Sequence, residues 1–263
     1  MISNLAHISP KAKIGTNVTI EPFVVVYDDV EVGNNCHIYP HAVLMNGTRL
    51  GEGCSVFPNA VIAAMPQDLK FAGEYTTATI GNNTIIRECV TVNRGTADKN
   101  TTSIGANCLL MAYSHVAHDC TIGNNVVLAN AVNLGGHVSI EDFAVIGGGT
   151  LIHQFVNIGT HAMVSGGSLV RKDVPPFVTC AHEPLSFVTV NTVGLRRRGF
   201  SNAQISNIQE MCRLLFQSHH NYTQAVLEIQ KFAETDERNQ ILAFMQNSKR
   251  GVIKSYQIQN DND

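Results

Sequence analysis

Tryptophan is absent from the 263 residues, and aromatic side chains make up only 6%. Any core must therefore rest on smaller aliphatic side chains. No window holds the ~18 uninterrupted apolar residues that a membrane helix needs, so no membrane span is expected. The seven cysteines contain no C-x-x-C pair and no small secreted framework, which argues against zinc ribbons and redox motifs. An excess of basic charge is missing too. The net charge of −3 gives a nucleic-acid partner no electrostatic support. Met1–His7 lacks the charged and apolar regions of a signal peptide, so a cytoplasmic protein is the expectation. Glycine, asparagine, isoleucine and valine are abundant within a 44% apolar composition, as expected of many turns joined by short β-branched strands.

Those residues recur with a period of six. From Ile8 to Val170, 25 of the 28 positions in one six-residue frame are aliphatic; the exceptions are Asp68, Glu74 and Asp98. One inward aliphatic per six residues is the pattern of a hexapeptide β-helix, with three hexapeptides in each 18-residue triangular coil. The fold class is therefore mainly β, a left-handed parallel β-helix of hexapeptide repeats. The fourth residue after each aliphatic is a second, small inward position, which makes Cys36, Cys54, Cys108 and Cys120 core fillers. Gly15, Gly33, Gly51, Gly105, Gly123 and Gly159 share one 18-residue phase and are read as supplying the backbone angles of a corner. Gly81 falls out of phase, which implies 12 extra residues near 63–79 and six more near 94–103. Two loops are thus expelled from the wall, and loops on a rigid scaffold commonly carry function.

Beyond Pro175-Pro176 the pattern changes. Ile205, Ile208, Met211, Leu214 and Leu215 follow helical spacing, as do later groups, with Ser201 and Asp236 as N-caps. The domains are 1–190, the β-helix, and 191–263, a C-terminal α-helical domain. The closing "QIQNDND" reads as a frayed end.

Residues 18 apart stack about one strand spacing, ~4.8 Å, apart. His118, Gly136 and Gln154 form one column; Asp119, His137 and Phe155 form the next; Gly135 lies under His153. His115 precedes His118 in the same coil. The frame leaves His115, His118 and Asp119 outside the core. This arrangement suits acyl transfer, with His118 as general base, Asp119 orienting it and the Gly136 amide as oxyanion donor. Several imidazoles on one edge also suit zinc, as in the γ-class carbonic anhydrases of this fold.

Seven motifs then appear in order: "QDLKFAGE" (Gln67–Glu74), "IRECVTVNRGT" (Ile86–Thr96), "HVAHDC" (His115–Cys120), "GGHVSIEDFAVIGG" (Gly135–Gly148), "HQFVNIG" (His153–Gly159), "DVPPFV" (Asp173–Val178) and "GLRRRGFS" (Gly194–Ser201). Together they resemble the bacterial UDP-N-acetylglucosamine O-acyltransferases of the first step of lipid A synthesis. The resemblance implies transfer of an R-3-hydroxyacyl group from acyl carrier protein to the glucosamine 3-hydroxyl of UDP-N-acetylglucosamine. It implies no metal, no cofactor and a homotrimer with sites between neighbouring subunits. By motif, His118, Asp119 and Gly136 are catalytic. Asp68, Lys70, His115, His137, His153, Gln154, Asn191, Arg197 and Arg198 bind substrate, and Gly166 sets acyl-chain length. Val193 stands where the family often carries glutamate, and Cys180–Ser186 also departs from the pattern; both leave room for a modified, 3-amino sugar nucleotide. Arg171, Lys172, Lys249, Arg250 and Lys254 are the basic residues proposed to receive an acidic carrier protein.

Overall fold

A computed structural model describes residues 1–256. The frayed end expected for Gln257–Asp263 lies outside the described residues. The chain winds a left-handed parallel β-helix. Its short strands fall into three sheets, one per prism face. The first sheet runs from His7–Ile8 to Leu169–Val170, the second from Lys13–Ile14 to Asn157–Ile158, and the third from Thr19–Ile20 upward. In most strands only the second residue is buried, as in Thr19–Ile20, His37–Ile38 and Val127–Leu128. These second residues are the aliphatics of the six-residue frame. They pair directly from coil to coil, Ile20 with Ile38 and Leu110 with Leu128. Cys36, Cys54, Cys108 and Cys120 are free thiols in this core.

The corners show why Gly and Asn recur, and correct one expectation. The phased glycines are not the residues that need unusual backbone angles. At the edge between the second and third sheets the left-handed residue lies two positions later, at Asn17, Asn35, Asn107 and Asn125, with φ of 56 to 59°. The glycine is required by crowding instead: a Cβ on Gly105 would lie 2.5 Å from the Gly123 carbonyl carbon of the next coil. The residue between them ties the coils together. Asn34, Asn82 and Asn124 each accept a backbone amide from the preceding coil, those of Thr16, Glu52 and Ala106.

The pairing step is 18 residues along most of the wall, as in Ser103 with Thr121. It is 30 between Leu50 and Ile80 and 24 between Ile80 and Ile104. The chain between Ala64 and Thr77 and between Asn93 and Thr101 thus leaves the wall, both times at the edge between the first and second sheets.

At the C-terminal end the third sheet continues through a hairpin, Val178–Ala181 and Ser186–Val190, that the hexapeptide frame did not announce. Among the described residues four helices follow: α1 (Thr192–Arg197), α2 (Asn202–Phe216), α3 (Tyr222–Ile229) and α4 (Asp236–Asn247). Ser201 caps α2 in a capping box with Gln204. The α4 cap is Thr235 rather than Asp236, whose charge instead sits in the first turn and favours the helix dipole. None of these helices is long and apolar enough to cross a membrane.

Asp173 fastens the helical segment to the coil. It is fully buried; its carboxylate accepts the Asn157 amide at 2.8 Å and the Ser248 hydroxyl at 2.7 Å. Asp173→Ala removes both bonds and leaves the half-buried Asn157 amide without its acceptor. A loss of about 2–4 kcal/mol is expected in urea unfolding. An unchanged midpoint would remove Asp173 from this role.

Candidate active site

Edge by edge, the candidate residues separate into three groups. The edge between the first and second sheets carries both expelled loops together with His118, His137, His153 and Gln154. Its corner residues Asp119, His137 and Phe155 have left-handed backbones, with φ of 58, 62 and 65°. Such positions cost a non-glycine residue strain of order 1 kcal/mol, and they turn three successive side chains outward on one bearing.

Asp119 lies outside the aliphatic core, as the frame has it, yet it is fully buried. The second loop folds over it. Its Oδ1 accepts the Thr96 amide at 2.9 Å and the Lys99 amide at 3.3 Å; its Oδ2 accepts the Thr96 hydroxyl at 2.7 Å. Burial opposes the charge, but the bonds from His118, Thr96 and Lys99 outweigh it and hold the carboxyl below its ordinary range. An ionised Asp119 accepts a hydrogen bond from His118 Nδ1–H at 2.8 Å. That bond fixes the tautomer and leaves the Nε2 lone pair free.

Nε2 faces Gly136. A Cβ at Gly136 would lie 2.7 Å from His118 Cε1 and 2.8 Å from Nε2. Gly136 is buried, and among the described residues no protein acceptor takes its amide hydrogen. The base thus packs against the Gly136 backbone, whose amide has no protein partner among the described residues. His137 stands edge-on to His118, with centroids 5.1 Å apart, stacks on Phe155 at 4.4 Å, and meets Asp98 at 3.3 Å through Nδ1. His115 is bonded to Thr91 at 2.7 Å; burial and then the neighbouring His118 lower its pKa. His153 and Gln154 are exposed just above.

A cleft of about 360 Å³ opens beside His137 and Phe155, lined also by Asp68, Lys70, Glu74, Thr96 and Asp98. Glu74 joins its two loops by accepting the amides of Ala72 and Ala97, both at 2.9 Å. The three acidic interruptions of the hexapeptide frame, Asp68, Glu74 and Asp98, all line this cleft. Thr96, Lys99, Asp98 and Glu74 were missed from sequence, although two of them were visible as those interruptions. A larger cavity of about 540 Å³, where α4 overhangs Ser139, Glu141 and Asn157, is lined by none of the candidate residues.

His118, Asp119 and His137 offer donor atoms within 4.8 Å of one another, the nearest approach to a metal site among the described residues. The Asp119 oxygens are already filled by four hydrogen bonds, so a cation would have to displace them. The set is built as a hydrogen-bonded base, not as zinc ligands.

The remaining candidates lie elsewhere in this chain. Asn191 caps α1 and donates to the His161 carbonyl at 2.9 Å; Arg198 donates to the Phe143 carbonyl at 3.1 Å and lies over the Phe143 ring. Phe143 and His161 belong to the second edge, between the second and third sheets. Arg197 is exposed beside them. Gly166, also exposed, sits on the third edge, where a Cβ would come within 3.0 Å of the Gly148 carbonyl. One chain does not bring these groups to His118.

His161 is stacked between Phe143 and Phe177. Burial and then the Arg198 charge push its pKa down to about 4, against Asp142, which raises it. The unfolded chain takes up this proton near 6.5 and the folded chain only near 4, so stability falls as pH drops through that window. His115 acts in the same sense. His161→Phe keeps the stack and removes its titration. Urea unfolding at pH 7 and pH 5 should show a smaller loss in the variant; an equal loss would refute this.

Residues 173–253 match the family described as UDP-N-acetylglucosamine O-acyltransferase, domain 2, and residues 11–46, 29–64 and 101–136 match bacterial transferase hexapeptide repeats. An acyl-[acyl-carrier-protein]–UDP-N-acetylglucosamine O-acyltransferase of Herminiimonas arsenicoxydans is 42% identical, covering 97% of this chain and 99% of that one. A counterpart from Aliivibrio fischeri is 44% identical, over 97% and 100%. The solved UDP-N-acetylglucosamine acyltransferase of Bacteroides fragilis is 46% identical, with a TM-score of 0.95 over 96% of this chain and 100% of that one.

Proposed function

The chain belongs to the acyl-[acyl-carrier-protein]–UDP-N-acetylglucosamine O-acyltransferase family, and from that premise we propose that it moves an R-3-hydroxyacyl group from acyl carrier protein to the glucosamine 3-hydroxyl of UDP-N-acetylglucosamine, opening lipid A synthesis. The observation that carries the chemistry is the free Nε2 of His118 beside the unpaired Gly136 amide. His118 Nε2 takes the proton of the sugar hydroxyl as its oxygen attacks the thioester carbonyl. The Gly136 amide receives the oxyanion. Collapse breaks the carbon–sulfur bond, and the imidazolium returns its proton to the departing thiolate. Asp119 stabilises the imidazolium without taking the proton.

Asp68, Lys70 and His137 line the cleft that would receive the acceptor. Arg197 and Arg198 suit a diphosphate. They sit on another edge of the prism, which supports a homotrimer in which one copy's His118 edge meets its neighbour's Arg198 edge. Arg250 donates to the Arg171 carbonyl, so Arg171–Lys172 and Lys249–Arg250 lie side by side as a surface for an acidic carrier protein. A cytoplasmic site for the reaction, the compartment expected from the sequence, is part of this proposal.

The test is an assay with a panel of 3-hydroxyacyl carrier proteins against UDP-N-acetylglucosamine and its 3-amino analogue. Ester formation on the hydroxyl form is expected. Transfer confined to the amine would replace O-acylation by N-acylation, and no transfer to either would sink the proposal.

A further inference from the structure

We propose that Thr96 is the positioning residue of the base: its hydroxyl pins the buried Asp119 carboxylate, aims one oxygen at His118 Nδ1 and tempers the pull of that oxygen on the imidazole proton. This rests on the reading of His118 as base, and gives the second expelled loop a task beyond lining the cleft.

The hydrogen bonds around Thr96 leave little freedom. Its amide and hydroxyl grip both Asp119 oxygens, at 2.9 and 2.7 Å. Thr96 is 8% exposed, so water does not substitute for its hydroxyl. The Asp98 amide approaches that hydroxyl oxygen at 3.4 Å, which occupies a lone pair and directs the proton to Asp119. The loop itself is fixed: the Asn100 amide bonds to the Thr96 carbonyl at 2.7 Å, the Gly95 amide to Thr77 at 3.1 Å, and the Ala97 amide to Glu74 of the first loop at 2.9 Å.

Oδ2 accepts two hydrogen bonds, from the Thr96 hydroxyl and His118 Nδ1, and His137 Nε2 stands 3.8 Å from it. Removing the hydroxyl has two consequences. The carboxylate loses the bond that holds its plane, so the imidazole it orients is less well aimed. Its charge also falls more fully on the imidazolium, which strengthens proton binding at His118. The other ionisable groups facing His118 are His137 edge-on and His115 within the coil. Asp98 lies behind His137, and Lys99 reaches the Asp119 carbonyl at 2.8 Å. Of these groups only Asp119 is hydrogen-bonded to the His118 ring, so the acidic limb of the rate profile reports on that bond.

The experiment measures kcat and KM against pH for the full chain carrying Thr96→Val, Thr96→Ala or Thr96→Ser, with thermal melting as the folding control. For both hydroxyl-free variants kcat should fall roughly tenfold or more, with KM held within about twofold. The acidic limb should move up by roughly half a pH unit. Thr96→Ser should return both to near wild type. Wild-type rates in Thr96→Ala, or a slowed variant whose acidic limb stays in place, would overturn the proposal. So would failure of serine to rescue. Failure of the underlying reading looks different, since His118→Ala would then keep its turnover whatever the Thr96 variants do.

Discussion

Exchange of His118 for alanine is expected to lower acyl transfer by about 10²–10⁴-fold, the range a positioned general base contributes, while the fold survives. The side chain supplies the one free imidazole nitrogen that faces an unpaired amide. Neither neighbouring imidazole can take over. His137 is turned edge-on and engaged with Asp98, and His115 is bonded to Thr91. Stability should change little, because Asp119 keeps its bonds to Thr96 and Lys99 and the His118 side chain contributes nothing to the aliphatic core. Turnover under saturating substrates and the melting temperature are the two readouts. Retention of more than a few per cent of wild-type turnover would exclude His118 as base.

Gly136→Ala should approach the same loss without replacing an ionisable group. The new Cβ would lie 2.7–2.8 Å from two ring atoms of His118, closer than real Cβ contacts allow. The ring is held by Asp119 through Nδ1, itself only 3.3 Å from that Cβ, so relief requires turning it off that bond or tilting the corner. A displacement of about 1 Å at a reacting atom costs about 10²-fold. The methyl group would also crowd the amide assigned to the oxyanion. The loss should fall mainly in kcat, with melting close to wild type because the nearest atoms the new Cβ meets belong to the His118 side chain and not to backbone. Normal kcat would show that neither the amide nor the ring position matters as argued.

Much of the fold was legible because one requirement repeats: a triangular coil must point one aliphatic inward at every sixth residue. Columns of residues 18 apart could be read the same way, since the wall has a fixed step. The phased glycines were visible, but their reason was not; crowding between coils involves two residues far apart in sequence. Burial of Asp119 was also hidden. The frame describes the wall, and Thr96 covers Asp119 from chain that has left it. The frame did mark where to look, since Asp68, Glu74 and Asp98 interrupt it and all reach the cleft. The positions of Asn191 and Arg198 could not be placed, because a helical segment has no periodic relation to the coil it packs on. Asn191 looked like a ligand residue, and its first visible duty is to cap α1.

The pairing steps of 30 and 24 residues exceed the ordinary step by twelve and six. Together the two excursions amount to eighteen residues, the length of one full coil. The prism is therefore one storey, about 4.8 Å, shorter than its hexapeptide frame would build. That storey's worth of chain hangs outside a single edge, two-thirds of it in the loop of Asp68 and Lys70 and one-third in the loop that roofs Asp119.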